Sequence, residues 1–337
     1  MKTRRPTEQE GRKALAVADE AVHLLRTAPF HVVAAYYIGS IPFMLGLLYF
    51  WSDMSRSAFA ASRCVAASLG LAVLFIWMKC WQALYAGGLR ASITGDRAPP
   101  WTPRRFLRLA SAQTLVQPSG LLAIPAALLL VAPFCAVYSF YQNITALADG
   151  TTPEVRGVAG RAWRQARLWP TQGYILMWLL SPWILAIGML TAFGSMWLAL
   201  SAAPELHEVH GQFWFILALL IMFQLVLPLS PFGCAVAGGV AVIMALLPGL
   251  ASVLLGTDTV FTLSGMYAVL NTTFLMTVYA VSYLCLDPLL KAAYVLRCFY
   301  GESRQTGEDL RVELRNQMSE ARGQRSEVGS RRSEVGG

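Results

Sequence analysis

From Pro170 to Leu286 the chain carries neither lysine nor arginine, and its only carboxylates there are Glu205, Glu208 and Asp258. A surface with so few charges is not one that water solvates. The stretch resolves into apolar runs of about 20 residues, the length at which a helix crosses the hydrocarbon core of a bilayer. The three acids fall in the gaps between runs. With 56% hydrophobic and 14% charged residues over 337 positions, the composition lies outside that of ordinary soluble domains. The expectation is an all-α fold, a polytopic transmembrane helix bundle with interfacial amphipathic helices.

The basic residues gather elsewhere. Lys2, Arg4, Arg5, Arg12, Lys13 and Arg26 precede the first apolar run, Arg90, Arg97, Arg104, Arg105 and Arg108 follow the second, and Arg156, Arg161, Arg164 and Arg167 form a third group. Lysine and arginine hold the loops they occupy on the cytoplasmic side. These three stretches and the mixed-charge tail from Lys291 are therefore expected inside, with both termini cytoplasmic and the gaps around Glu205 and Asp258 outside.

Six spans are clear: Val32 to Trp51, Cys64 to Ala86, Gly173 to Leu200, Phe213 to Leu229, Gly233 to Leu255 and Gly265 to Leu286. A single crossing through Gly120–Tyr141 would put one arginine-rich stretch on the wrong side. The parity is restored if about 105–147 is a hairpin of two short helices breaking near Ile124-Pro125, since proline removes a helix hydrogen bond. Eight segments are expected, with seven true spans as the competitor. The domain plan is a basic cytoplasmic segment with an amphipathic helix at 1–31, a membrane domain at 32–287, a charged cytoplasmic helix at 288–320 and a disordered tail at 321–337. In that tail Ser326-Glu-Val-Gly329 recurs as Ser333-Glu-Val-Gly336, too polar to build a core.

Ala21–Pro42 can be laid on Ala162–Trp183 without a gap, matching Arg26 with Arg167, Pro29 with Pro170 and Ser40 with Ser181. Each copy reads as a basic, partly apolar helix that ends at a proline and leads into a span. The second copy supplies the expected lipid contacts, Arg161, Trp163, Arg164, Arg167 and Trp169, with guanidinium groups at the headgroups and tryptophan at the interface.

The order Leu121-Leu-Ala-Ile-Pro125, an apolar return ending in Ala146-Leu-Ala-Asp-Gly150, then Ala162-Trp163 in a basic helix and a further span resembles the membrane-domain family associated with bacterial glycerophosphoryl diester phosphodiesterases. The likeness covers about 70 residues. Ala126 stands where that family has a glycine after Ile-Pro, and Arg161-Ala162 where its helix has a small polar residue. The resemblance implies architecture and a bacterial inner-membrane setting. The family's phosphodiesterase chemistry sits in a separate soluble domain that has no counterpart in this sequence.

Ionisable or amide groups within apolar runs are the candidate functional residues, because burying them in hydrocarbon is costly. Lys79 lies late in the second span, where its stem could snorkel to the interface. Asp287 closes the last expected span, with Lys291 placed for an i to i+4 ion pair. Gln224 and Asn271 fall in apolar helices and need interhelical partners. The Glu205-Leu-His207-Glu208-Val-His210 loop reads as a solvated acidic loop and not a metal site, since its spacing matches no ligand motif. The six cysteines form no C-x-x-C pair and read as packing residues.

No catalytic set, cofactor fingerprint or metal motif is present in the sequence. The expected partners are membrane lipid and other envelope membrane proteins, with no nucleic acid. Two functional classes follow: an accessory or envelope-organising membrane protein, or a permease or flippase for a lipid-like solute.

Overall fold

A computed structural model describes residues 6–95, 102–129, 134–148, 150, 154–181, 231–255, 271–308, 310–312, 314, 315, 317 and 318. Among these residues all regular structure is helical. Ten α-helices follow in order: α1 Pro6–Thr27, α2 Phe30–Arg56, α3 Ala60–Thr94, α4 Pro103–Val116, α5 Gly120–Leu129, α6 Phe134–Leu147, α7 Val155–Leu168, α8 Pro170–Leu180, α9 Pro231–Leu255 and α10 Thr272–Thr306. A single 3-10 turn, Gln117–Ser119, joins α4 to α5. Three of the helices, α2, α3 and α10, are long and apolar enough to cross a membrane.

α10 is the axis of the molecule. It packs against α1, α2, α3, α6, α7, α8 and α9, and its residues 286–299 are continuously buried. At 1.5 Å per residue its 35 residues extend about 52 Å, well beyond a hydrocarbon core of about 30 Å. α3 has the same length. α1 buries Ala14, Val17, Ala18 and Ala21, a helical stripe of small residues, in the common core.

α2 and α3 form a tight antiparallel pair. Gly39 lies directly against the Trp81 side chain, and a Cβ on Gly88 would stand 2.9 Å from the Val32 methyls. Small residues let the two backbones approach as they do in membrane helix pairs.

Both observed helices are longer than the runs Val32–Trp51 and Cys64–Ala86, because polar residues at their ends continue the backbone hydrogen bonding outside the apolar window. The last helix departs further from expectation. It starts at Thr272, with the Asn271 side chain accepting from the Thr273 N–H at 2.9 Å as its N-cap, and residues 265–270 of the expected span lie outside the described residues. It does not close at Asp287. It runs through Pro288 to Thr306 and ends at Gly307, whose φ of 65° is left-handed. Residues 288–299, expected in a charged cytoplasmic helix, form the centre of the core. The charges that made them look like solvated tail, Lys291 and Arg297, are satisfied by side chains and backbone carbonyls within the bundle.

The region 105–147 reverses direction, with α4 and α5 lying back along α6. Gln117 Nε2 donates to Tyr141 O at 3.2 Å and to Thr145 Oγ1 at 3.1 Å, and Ser119 Oγ is 2.9 Å from Tyr141 OH. The break is not at Ile124-Pro125, which lies inside α5. Pro125 is the sixth residue of α5, so it removes one helical hydrogen bond, to the Leu121 carbonyl, without ending the helix. The chain passes from α5 to α6 through residues 130–133, which lie outside the described residues. So do the expected span Phe213–Leu229, the Glu205–His210 loop and the continuation of the Gly173–Leu200 span beyond Ser181.

Candidate functional site

The groups that most need explanation are the charges inside the bundle. Tyr36 and Ser40 lie one turn apart on α2, Lys79, Gln82 and Tyr85 share a face of α3, and Tyr283, Asp287 and Lys291 are spaced by four on α10. Spacings of four on α2 and α10 and of three on α3 aim each set along one stripe, and the three stripes meet.

Asp287 is the hub. It is 2% exposed, and its Oδ2 accepts from the Tyr36 hydroxyl at 2.9 Å and from Gln82 Nε2 at 3.0 Å. Its Oδ1 lies 3.8 Å from Lys291 Nζ. Lys291, equally buried, donates to Gln142 Oε1 on α6. On the other side, Lys79 Nζ donates to Gln82 Oε1 at 3.3 Å and stands 5.4 Å from the centre of the Phe75 ring. The Gln82 amide thus bridges a second ammonium to the carboxylate. In this orientation both of its ends are bonded, and its Nε2 also approaches Tyr283 OH at 3.3 Å. Lys79, expected to reach a helix end, turns inward.

Pro288 adds a backbone element to the network. It has no N–H, so the Leu284 carbonyl one turn back loses its helical donor, and its own carbonyl accepts from the Tyr85 hydroxyl at 3.0 Å. Two ammonium groups and one carboxylate, each with a polar partner, are held between α2, α3, α6 and α10. Burying charge without such partners would cost several kcal/mol per ion, on the order given by desolvation.

One and a half turns further along α10, Arg297 is 1% exposed. Its Nη1 donates to Ser139 Oγ at 3.2 Å, and its Nη2 donates to Trp169 O at 3.0 Å and Ala166 O at 3.4 Å. The two carbonyls belong to the last turn of α7, where backbone acceptors are orphaned and the helix dipole favours a cation. Gly173 leaves the room, since a Cβ there would stand 3.0 Å from Arg297 Nη1. Among the described residues no carboxylate lies within ion-pair distance of this guanidinium, so the α7 carbonyls and the Tyr294 ring, 5.7 Å away, are its counter-charge.

α7 itself buries Val158, Ala162, Gln165 and Ala166 against its neighbours, with Asn143 Nδ2 donating to Ala162 O at 3.1 Å. Its other face presents Trp163, Arg164 and Arg167 outward. Together with Arg161, these residues line an open cleft whose far wall is Arg90 of α3 and the end of α10. Arg90 Nη2 is 2.6 Å from Glu302 Oε2 and 3.6 Å from Glu308 Oε2, and Arg161 Nη1 is 3.8 Å from Glu302 Oε1. Trp169 stands apart from the cleft, its ring under the Arg304 guanidinium at 5.7 Å.

The expected residues thus fall into distinct places. Lys79, Asp287 and Lys291 come together, joined by Gln82, Tyr36 and Gln142, which sequence reasoning missed. Asn271 is not in that group: it caps α10 and accepts from Arg56 Nη2 at 3.3 Å, exposed at a helix end. The Asn-Thr-Thr run before an apolar stretch was a readable capping signal. Gln224 lies outside the described residues. Arg297 could have been found from the residues next to it, Ala292 to Leu296 and Cys298 to Tyr300, which leave no solvated face. Among the described residues no group of three or more histidine, cysteine, aspartate or glutamate side chains could hold a metal ion.

Comparison of the chain with protein-family models, with curated proteins and with solved structures returns no match.

Proposed function

We propose that this is a multi-pass protein of a bacterial inner membrane that serves as an accessory or envelope-organising component, with both termini cytoplasmic. The observation that carries the reading is the closed network around Asp287. Asp287 and Lys291 are each bonded in place by residues of other helices, and Lys79 joins them through Gln82 of its own helix, which is how a bundle fixes the relative positions of its members and not how it leaves a pathway open. Measured along α10 from Thr272, Lys291 lies about 29 Å along the axis. The network then sits at the inner edge of a hydrocarbon layer of about 30 Å, where lysine and tyrosine are best tolerated. The likeness to the phosphodiesterase-associated membrane-domain family supports the same setting through architecture alone.

The test is crosslinking of the full chain in intact membranes followed by purification. A discrete species of defined stoichiometry with another envelope protein is expected. Recovery of monomer and lipid alone counts against the reading.

A permease or flippase for a lipid-like solute is favoured by one specific observation, the second ammonium of Lys79 beside an ion pair that already has its partner. Reconstituted uptake that is unchanged by Lys79→Ala and Asp287→Ala would remove that alternative.

A further inference from the structure

The cleft between α7 and the end of α10 has a volume of about 710 Å³, in the range of small-ligand sites. Four arginines line it, Arg90, Arg161, Arg164 and Arg167, against two glutamates, Glu302 and Glu308. Two positive charges are left over.

The arginines are not equivalent. Arg90 and Arg161 are pinned from α3 and α7 by the same carboxylate, Glu302, which fixes the width of the cleft. Arg164 and Arg167 are exposed and three residues apart, so they share one helix face. Among the described residues neither has a carboxylate within 4.0 Å. Planar guanidinium forks match phosphate oxygens with paired hydrogen bonds.

Depth along α10 points to the source of the phosphate. With Thr272 at the outer edge of the hydrocarbon, as above, the inner headgroup layer spans about 30 to 37 Å along α10, and Glu302, about 45 Å along the helix axis, stands just beyond it. The cleft therefore opens at the aqueous face of the headgroups of one leaflet. Trp163 stands exposed beside it, its ring edge-on to Phe140 at 5.9 Å, and tryptophan is the side chain of that interface.

We propose that this cleft binds a phosphate headgroup carrying two negative charges, presented by a lipid, with Arg164 and Arg167 as its direct contacts. A phosphomonoester has a charge of about −1.5 to −2 near neutral pH and matches the surplus. A singly charged phosphodiester leaves one arginine unmatched, and a zwitterionic headgroup brings its own cation. The proposal rests on the membrane placement given above but not on the accessory role, and the two fail separately.

The test uses the purified full chain in detergent, with bound ligand read by native mass spectrometry against phosphatidic acid, phosphatidylglycerol, phosphatidylcholine and inorganic phosphate. Phosphatidic acid is expected to bind about fivefold more tightly than phosphatidylglycerol, the value of one added charge near a basic site. The Arg164→Gln, Arg167→Gln double variant is expected to lose about 30-fold, and Glu308→Gln to gain about fivefold. Arg104→Gln, Arg108→Gln, at exposed positions on α4 outside the cleft lining, is expected to change binding less than twofold.

Inorganic phosphate that binds as tightly as the lipid, and is lost in the same double variant, would overturn the lipid source and assign the site to a soluble phosphate ester. Equal loss in the α4 control, or retention in the double variant, would overturn the site itself. Glu308→Gln changes no buried contact of the core, so it decides the matter even if the double variant fails to fold.

Discussion

The two halves of α3 live in different solvents. Along its first half Val65, Leu69 and Val73 are 72%, 64% and 70% exposed, whereas Tyr85, Ala86 and Leu89 in its second half are completely buried. The exposed half is apolar, whereas the second half buries Gln82 completely and Lys79 in part, the reverse of a soluble helix. An outward surface that is apolar calls for hydrocarbon around it, and there the helix needs little from its neighbours. The inward half has to satisfy polar groups within the protein, so its fit is specified by partners. The same division runs along α10, from Phe274–Val278 packed on the apolar face of α9 to Asp287–Arg297 in the polar core.

If this contrast is right, substitutions in the polar half are expensive and those in the apolar half are cheap. The largest effect is expected for Asp287→Leu, which leaves Lys291 and Lys79 without their carboxylate and costs about 3–5 kcal/mol, read as loss of the thermal unfolding transition in detergent. Adding Lys291→Leu should recover part of that loss, because an ion pair removed whole is far less damaging than one broken. A double variant as unstable as the single one would show that the pair is not the unit. Gly39→Val drives a branched side chain into Trp81 and should cost about 1–3 kcal/mol, measurable by the same melt. Arg297→Met strips the donor from the end of α7 and should cost about 1–3 kcal/mol, with faster hydrogen exchange confined to residues 166–173. Gln113→Leu tests the contrast from the other side. Gln113 is fully buried, and among the described residues neither end of its amide is bonded, so leucine should be neutral or stabilising by up to about 1 kcal/mol. The smallest effect belongs to Leu69→Ala on the exposed half of α3, expected within about 0.5 kcal/mol. A cost above about 1 kcal/mol there would mean that the surface is covered by protein.

Much of the apolar half was legible in the sequence, because hydrophobic length alone announces a membrane helix. The runs at Val32–Trp51 and Cys64–Ala86 lie inside α2 and α3, and Pro29 and Pro170 do separate a preceding helix from a following one. Even the matched serines have kindred roles: Ser40 and Ser181 are both buried, the one 3.5 Å from Gln82 Nε2 and the other donating to Tyr138 OH at 3.0 Å. The polar half was legible only in part, for a physical reason: the Asp287–Lys291 spacing was visible, but not that the helix runs on past it. Asp287, Pro288 and Lys291 in sequence look like the end of a span, since a charge or a proline ordinarily stops an apolar helix. What keeps α10 going is Tyr36, Gln82 and Gln142, residues separated from it by well over a hundred positions. Periodicity within one helix carries no trace of such partners. The hairpin break was misplaced at Pro125 by the same kind of local rule, which takes the loss of one hydrogen bond at a proline for the end of the helix, whereas α5 continues through it to Leu129.

The central place of α10 also has a consequence for biosynthesis. Gln82 leaves the ribosome 205 residues ahead of Asp287, a delay of about 10–40 s at ordinary rates of translation. Throughout that interval α2 and α3 have each other but lack the carboxylate around which their polar faces are arranged. The nascent chain must hold Tyr36, Gln82 and Lys79 against water, lipid headgroups or the insertion machinery until the keystone helix arrives. Assembly of this bundle is thus post-insertional by construction, and a ribosome stalled short of α10 would release helices already in place with nothing to close on.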